Sequence, residues 1–176
     1  QWNPSLGVDL DGNFVVVWQS DGSPGTDTSL ASVQARRFRA DGSPLDAPEF
    51  QLNELTSGSQ YGSSVGVDRS GNFVVAWQNG YRPVGPVIQA RRFRADGTAL
   101  EPSEFTVSTD AAHPQWDPSV AVGAAGQFVI AWTSYDGADP WGGFDLNIRA
   151  RRFASDGSAL DAEPILVNTF TLSAQQ

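Results

Sequence analysis

The sequence predicts an all-β protein, with three tandem four-stranded antiparallel repeats stacked as blades of β-propeller type across residues 1–176. Three observations predict it. Short blocks return three times in one order, and no segment holds a sustained helical period. The 18 Gly and 11 Pro are spread along the chain, a density that suits many short strands and turns.

The first block is Gly12-Asn13-Phe14-Val15-Val16-Val17-Trp18, which recurs as Gly71–Trp77 and Gly126–Trp132. The second is Ala35-Arg36-Arg37-Phe38, repeated at Ala90–Phe93 and Ala150–Phe153. Each second block is followed by Asp-Gly, at Asp41-Gly42, Asp96-Gly97 and Asp156-Gly157. Trp18, Trp77 and Trp132, Arg37, Arg92 and Arg152, and Phe38, Phe93 and Phe153 are therefore expected to be structural residues of the repeat. Gln1-Trp2 matches Gln60-Tyr61 and Gln115-Trp116, which sets the units at 1–59, 60–114 and 115–174 in a single repeat domain. Gln175-Gln176 sits where a fourth unit would begin. The expectation is a slice of a longer array, or a unit that completes itself with another copy.

Strand one of each unit is typified by Ser5–Asp9, where Leu6 and Val8 share a face and Gly7, Gly66 and Ala121 keep the other face small. Asp11-Gly12 turns the chain tightly, since Gly reaches positive φ without a Cβ clash. Strand two, Phe14–Trp18, is apolar on both faces and should be covered on both sides. Strand three is Val33–Phe38. Strand four is Phe50–Asn53, matched by Phe105–Ser108 and Ile165–Asn168. A strand buried on both faces, with small residues on the innermost strand, is the pattern of a propeller blade. A β-trefoil or another three-fold β fold is the alternative. The trefoil's Gln-x-Trp signature is met only in reversed form, at Trp18-Gln19 and Trp77-Gln78.

Composition narrows the function. Net charge is −9 and all eleven basic residues are Arg, so the surface repels nucleic-acid phosphates and anionic membranes. There is no Cys, which excludes disulfides, thiolate catalysis and zinc–sulfur sites. His113 is the single histidine, so any Ser-His-Asp triad must use it. No apolar run is long enough for direct insertion into a membrane. No leader segment or initiating Met is visible, as expected for a mature form or a piece of something longer. No cofactor is expected.

In a blade, the connections between strands two and three emerge on the same face as those from strand four to the next strand one. The 2–3 connections, Gln19–Ser32, Gln78–Pro86 and Thr133–Asn147, differ most among the copies. A rigid scaffold with divergent loops on one side suits ligand binding. Those loops hold Tyr81, Tyr135 and Trp141, with Asp136, Asp139 and Asp145 nearby. The 4–1 junctions hold Trp2, Tyr61 and Trp116. Aromatic rings can stack on sugar C–H faces while carboxylates accept hydroxyl protons. Packing between units is the alternative role for Trp2, Tyr61 and Trp116.

Adjacent residues of a strand face opposite ways, so Arg36 and Arg37 cannot share one anion. One of each Arg pair is expected between units, on a Trp or an Asp. Asp9 and Asp11 resemble a fragment of a calcium loop, but the acids fade in the second and third copies while the Gly persists. No other metal ligands suggest themselves. The 3–4 turns do not match a sialidase-type Asp-box. A glycoside hydrolase needs two placed carboxyls, and 20 acids offer no way to choose them.

These blocks resemble the tandem propeller-like repeats of large bacterial secreted and cell-surface proteins. The resemblance spans the whole chain and implies an extracellular or cell-surface setting, with self-association or other protein subunits as partners. The leading expectation is a non-catalytic module of adhesion or surface assembly. The second is a carbohydrate-binding propeller with glycan as partner, and the third, less favoured, a glycoside hydrolase.

Overall fold

A computed structural model describes residues 1–22, 31–80, 85–110, 113–138 and 144–169, with the side chains of 138, 144 and 145 left aside. The first sheet comprises β1 (Trp2–Val8), β2 (Phe14–Asp21), β3 (Ala31–Phe38) and β4 (Phe50–Gln51). The second comprises β5 (Gln60–Val67), β6 (Phe73–Asn79), β7 (Val87–Phe93) and β8 (Phe105–Thr106). The third comprises β9 (Gln115–Val122), β10 (Phe128–Ala138), β11 (Phe144–Phe153) and β12 (Ile165–Leu166). Within each sheet the strands lie in chain order and pair antiparallel. Three separate sheets of this kind are propeller-like blades and set the trefoil alternative aside.

Packing follows the two-sided apolar pattern of the central strand. Val15, Val17, Val33, Ala35 and Leu52 of the first sheet pack on Val65, Phe73, Val75, Trp77 and Phe93 of the second. Val74, Ala76, Ile88, Ala90 and Val107, on the other side of that second sheet, pack on Phe128, Ile130, Trp132 and Phe153 of the third. Alternation along β6 thus sends Val74 and Val75 into two different cores. Each sheet has one face rich in small aliphatics and one rich in aromatics, and the former covers the latter of its successor.

The innermost strands β1, β5 and β9 lie beside one another. A Cβ on Gly7 would stand 2.5 Å from Val67 Cγ2, and one on Gly66 2.8 Å from Val122 Cγ2, so the small residues permit this approach. Ser5 Oγ accepts from Val65 N at 3.2 Å and Ser64 Oγ from Val120 N at 3.1 Å, one stitch per junction.

At each junction the first sheet sends one arginine forward and the second sends one back, so Arg91 and Arg92 of the middle sheet serve opposite sides. Arg91 Nη1 donates back to Leu52 O at 2.8 Å, and Arg151 Nη1 to Val107 O at 3.1 Å. Arg37 Nη1 donates forward to Ala95 O at 2.5 Å, and Arg92 Nη1 to Ser155 O at 2.6 Å. Arg37, Arg92 and Arg152 each pair with an acid of their own sheet, Asp46, Glu101 and Asp161. The aromatic partners are Phe rather than Trp, with Arg91 5.6 Å from the centre of the Phe93 ring.

The outer strand is shorter than the sequence suggests. After β4, Asn53 Oδ1 accepts the Val33 amide at 3.0 Å, and Asn168 Oδ1 the Ile148 amide at 2.7 Å, so a side chain replaces the ladder. Strand one is longer than expected and bulged. The register shifts between Trp2 and Ser5, and again between Tyr61 and Ser64. Asn3, Gly62 and Asp117, the equivalent residues of the three strands, have φ of 53°, 63° and 50°.

Candidate functional site

The 2–3 and 4–1 connections emerge together, and the third repeat is where they depart most from the pattern. β10 runs through Ser134, Tyr135 and Asp136, so the last two lie in a strand rather than in the loop that the sequence suggests. The hairpin keeps its pairing out to Tyr135 opposite Leu146. Tyr135 and Asp136 are consecutive and therefore face opposite ways.

Asp136 shares with Trp132 and Ser134 the face turned to the second sheet. Its carboxylate accepts from Ser134 Oγ at 2.6 Å, Asn147 Nδ2 at 3.0 Å and Arg149 Nη2 at 2.5 Å. Burial alone would raise its pKa. The Arg149 and Ser134 hydrogen bonds and the guanidinium charge outweigh that, and the carboxyl lies below its ordinary range. Asp136 is thus an anchored carboxylate that aims the Arg149 guanidinium.

Arg149 helps line a cleft of about 280 Å³ at the second junction, with Asp110, Gln115, Trp132 and Glu163 among its walls. Gln115 Oε1 accepts the Trp132 indole N–H, and Gln115 Nε2 donates to His113 O at 3.1 Å, which holds the floor. Asp110 Oδ2 lies 2.7 Å from His113 Nδ1. The His113 ring meets Tyr135 edge-on, with centroids 5.9 Å apart. Thr109 Oγ1 donates to Glu163 Oε2 at 3.1 Å and so ties the rim of the third sheet to the second.

The matching place at the first junction is filled. There Glu104 accepts the amides of Glu54 at 3.2 Å and Leu55 at 3.0 Å, and Gln89 Oε1 accepts from Asn79 Nδ2 at 2.8 Å. The third repeat has Arg149 where the others have Gln34 and Gln89, and Pro164 where they have Glu49 and Glu104. The capping acid is displaced by one residue to Glu163, and the groove stands open. This departure from the repeat was the available signal for Arg149, Glu163 and Asp110, which motif reading missed.

Trp2, Tyr61 and Trp116 stand one to a sheet at the start of the innermost strand, each just before the bulge. Trp2 is exposed, and Tyr61 and Trp116 are half-buried. Asp117, exposed and left-handed, donates its backbone N–H to Gln78 Oε1 at 3.3 Å. The structure therefore separates two groups, an inner row of rings and an outer polar cleft. Tyr81, Asp139 and Trp141 lie outside the described residues, as does the side chain of Asp145.

Asp9 is spent on its own turn. Its Oδ1 accepts the amides of Asp11 at 2.9 Å and Asn13 at 2.8 Å, and its Oδ2 accepts from Asn13 Nδ2 at 2.9 Å. Asp68 repeats this with Ser70 and Asn72. Among the described residues, no group of three or more His, Cys, Asp or Glu is placed to hold a metal ion.

No family model matches the chain, and no curated protein matches it. Solved structures do. A Hadza microbial sialidase is 12% identical with a TM-score of 0.62, covering 89% of this chain and 35% of its own. An endo-1,4-β-xylanase from Bacteroides thetaiotaomicron is 14% identical with a TM-score of 0.56, at 96% and 60% coverage. An ulvan lyase of polysaccharide lyase family PL25 is 12% identical with a TM-score of 0.54, at 90% and 41%. The chain spans about a third to three-fifths of the length of these neighbours. What is shared at such identities is the fold.

These neighbours overturn the expectation of a non-catalytic adhesion or assembly module, and with it the expectation that the chain is not an enzyme. The solved structures that share the fold are a sialidase, a xylanase and an ulvan lyase. The expectation rested on the lack of a catalytic motif, and a fold of this kind can bring together polar groups from separate repeats. No contiguous motif marks such groups, so a search for one finds nothing.

Proposed function

We propose that this chain acts on carbohydrate, seating a glycan on the face that carries the β10–β11 hairpin and the β8–β9 connection, and supplying carboxyls for cleavage of a glycosidic bond. The observation that carries this reading is the open cleft at the second junction, where Asp110, Glu163 and Arg149 line one opening. Sugar hydroxyls donate to carboxylates and accept from a guanidinium, and C–H faces of the ring stack on aromatic side chains. Tyr135, and further in Trp116, Tyr61 and Trp2, are the platforms of this reading. Tyr81, Asp139 and Trp141 of the same connections belong with them. Hydrolysis needs one carboxyl as acid and a second as base or nucleophile, roughly 5–10 Å apart. Asp110 and Glu163 are assigned these roles. An extracellular setting goes with the proposal, because polymeric glycans are met there, and so does the resemblance to repeats of secreted and surface proteins.

The test is a panel of xylan, arabinan, ulvan and sialylated glycans, read by released reducing ends, by unsaturated ends and by retention in affinity electrophoresis. Asp110→Asn and Glu163→Gln are expected to lower turnover by about 100-fold or more while glycan retention persists. Retention without turnover in the unmodified chain would reduce the role to recognition. Neither retention nor turnover on any glycan would end the proposal.

A further inference from the structure

We infer that Arg149 selects for acidic sugars, the free edge of its guanidinium taking the carboxylate of a uronic acid unit in the cleft. The inference rests on the glycan reading of that cleft and names the class of sugar. The third repeat departs from the others in several residues at one spot. Arg149 stands where they have Gln34 and Gln89, Asn147 where they have Ser32 and Val87, and Asp136 where they have Gly22 and Tyr81. These departures meet in space. Arg149 Nε donates to Asp136 Oδ1 at 3.3 Å and Arg149 Nη2 to Asp136 Oδ2 at 2.5 Å. Asn147 Nδ2 donates to the same carboxylate at 3.0 Å, and Asn168 Nδ2 to Asn147 Oδ1 at 2.9 Å. The arginine thus has a counter-ion peculiar to its repeat, and the counter-ion has a support.

A guanidinium presents its N–H donors as a fork in one plane. Asp136 takes the edge formed by Nε and one hydrogen of Nη2. The other edge, formed by Nη1 and the second hydrogen of Nη2, meets no acceptor among the described residues. Arg149 lines the cleft and Asp136 does not, so the held edge is turned from the opening and the free edge toward it. The Arg149 side chain is 30% exposed, so a ligand can reach that edge.

Parallel N–H groups on one edge match the paired oxygens of a carboxylate. A sugar hydroxyl asks for less. It offers a single oxygen, and the amide that Gln34 and Gln89 supply in the other repeats would serve it without drawing a charge out of water. The carboxyl of a uronic acid projects from the ring, clear of the linkage oxygens, so it can sit on Arg149 while a linkage lies at Asp110 and Glu163. Those two acids have partners of their own. Asp110 Oδ2 lies 2.7 Å from His113 Nδ1, and Glu163 Oε2 accepts from Thr109 Oγ1 at 3.1 Å. The place for a ligand carboxylate is therefore the Arg149 edge.

The experiment compares matched polymers in affinity electrophoresis. Polygalacturonate, alginate, ulvan and a sialylated glycan are each run native and with their carboxyls reduced to alcohols, ulvan also desulfated, beside neutral xylan and arabinan. A native uronic acid polymer should be retained about 10- to 100-fold more tightly than its reduced form, the worth of a charge-assisted pair. Arg149→Gln, which restores the residue of the other repeats, should cancel that preference. Arg149→Lys keeps a charge beside Asp136, which guards against loss of the fold, and should still lose most of the preference because an ammonium lacks the planar fork. Neutral xylan or arabinan retained as tightly as every acidic polymer overturns the inference and leaves the glycan reading standing. So does a preference unchanged in both variants, retention that falls on desulfation but not on carboxyl reduction, or retention of the sialylated glycan alone. No polymer retained at all ends the glycan reading and this inference with it.

Discussion

Trp77 and Trp132 occupy the same place in the repeat and are both buried, yet their indole nitrogens differ. Trp132 Nε1 donates to Gln115, whereas Trp77 Nε1 finds no hydrogen-bond partner among the described residues. In the second sheet the corresponding Gln60 is engaged by Asn53, at 3.1 Å. Removing a satisfied donor strands its acceptor, and removing an orphan does not. Trp132→Phe should therefore cost about 1–2 kcal/mol more than Trp77→Phe, measured by denaturant unfolding. Asp136 makes a second contrast. Replacing it with Ala leaves Arg149 and Asn147 without their acceptor and should cost about 1–3 kcal/mol at neutral pH. Its pKa is depressed in the fold, so the ionic part of its contribution is present above the ordinary carboxylate value. That part fades as pH falls through the depressed value, and the unfolding curves of the protein and of Asp136→Asn should draw together below about pH 4. The role of Asp136 was half legible. The sequence marked it as an acid beside aromatics, but its alternation onto the face of Arg149 decides that it orients a guanidinium.

Strands and turns repeat more faithfully than single side chains, and their chemistry repeats with them. In the 3–4 turns Asp41, Asp96 and Asp156 accept from Ser43, Thr98 and Ser158, and those hydroxyl and amide hydrogen bonds hold all three carboxyls below their ordinary value. The direction is the same as for Asp136, so acid should loosen three turns together; amide exchange at residues 43, 98 and 158 is expected to accelerate as pH falls below about 4, after correction for intrinsic rates. Arg91 is the buried pin of the first junction, bound to Leu52 O at 2.8 Å, Glu101 O at 3.2 Å and Pro102 O at 3.1 Å. Arg91→Ala should cost about 2–5 kcal/mol, because the buried Leu52 carbonyl and two part-buried ones lose a charged donor. Arg39→Ala, which removes an exposed contact to Ser43, should change stability by less than about 0.5 kcal/mol. Gly66→Val should fail by sterics alone, since even a Cβ there meets Val120 and Val122. The strand order and the small inner residues were legible because alternation and Gly placement are local properties. The early end of the outer strand was not, because Asn53 and Asn168 spend their side chains on a neighbouring strand's amide.

For the whole molecule, the described residues form a stack of three sheets, and the glycan proposal acts at this scale. A glycan bound in the cleft spans the second and third sheets, so it stabilises the junction as well as itself. Saturation at about 100 times Kd should add about 2.7 kcal/mol to unfolding, seen as a rise in Tm for the bound glycan and none for an unbound one. Arg149→Ala should abolish that rise, because it removes the donor on the cleft wall.

The sequence by itself determined the repeat, the three four-stranded units, the two-sided central strand and the need for arginine and glycine at the junctions. All of these rest on period, alternation and residue size, which are written along the chain. Only the tertiary structure decided which positions meet across a junction. Asp110 and Glu163 lie 53 residues apart and come from successive repeats, and their shared cleft exists because the third repeat lacks the acid that seals the first junction. Convergence of this kind depends on how one sheet sits on the next, and no local pattern encodes it.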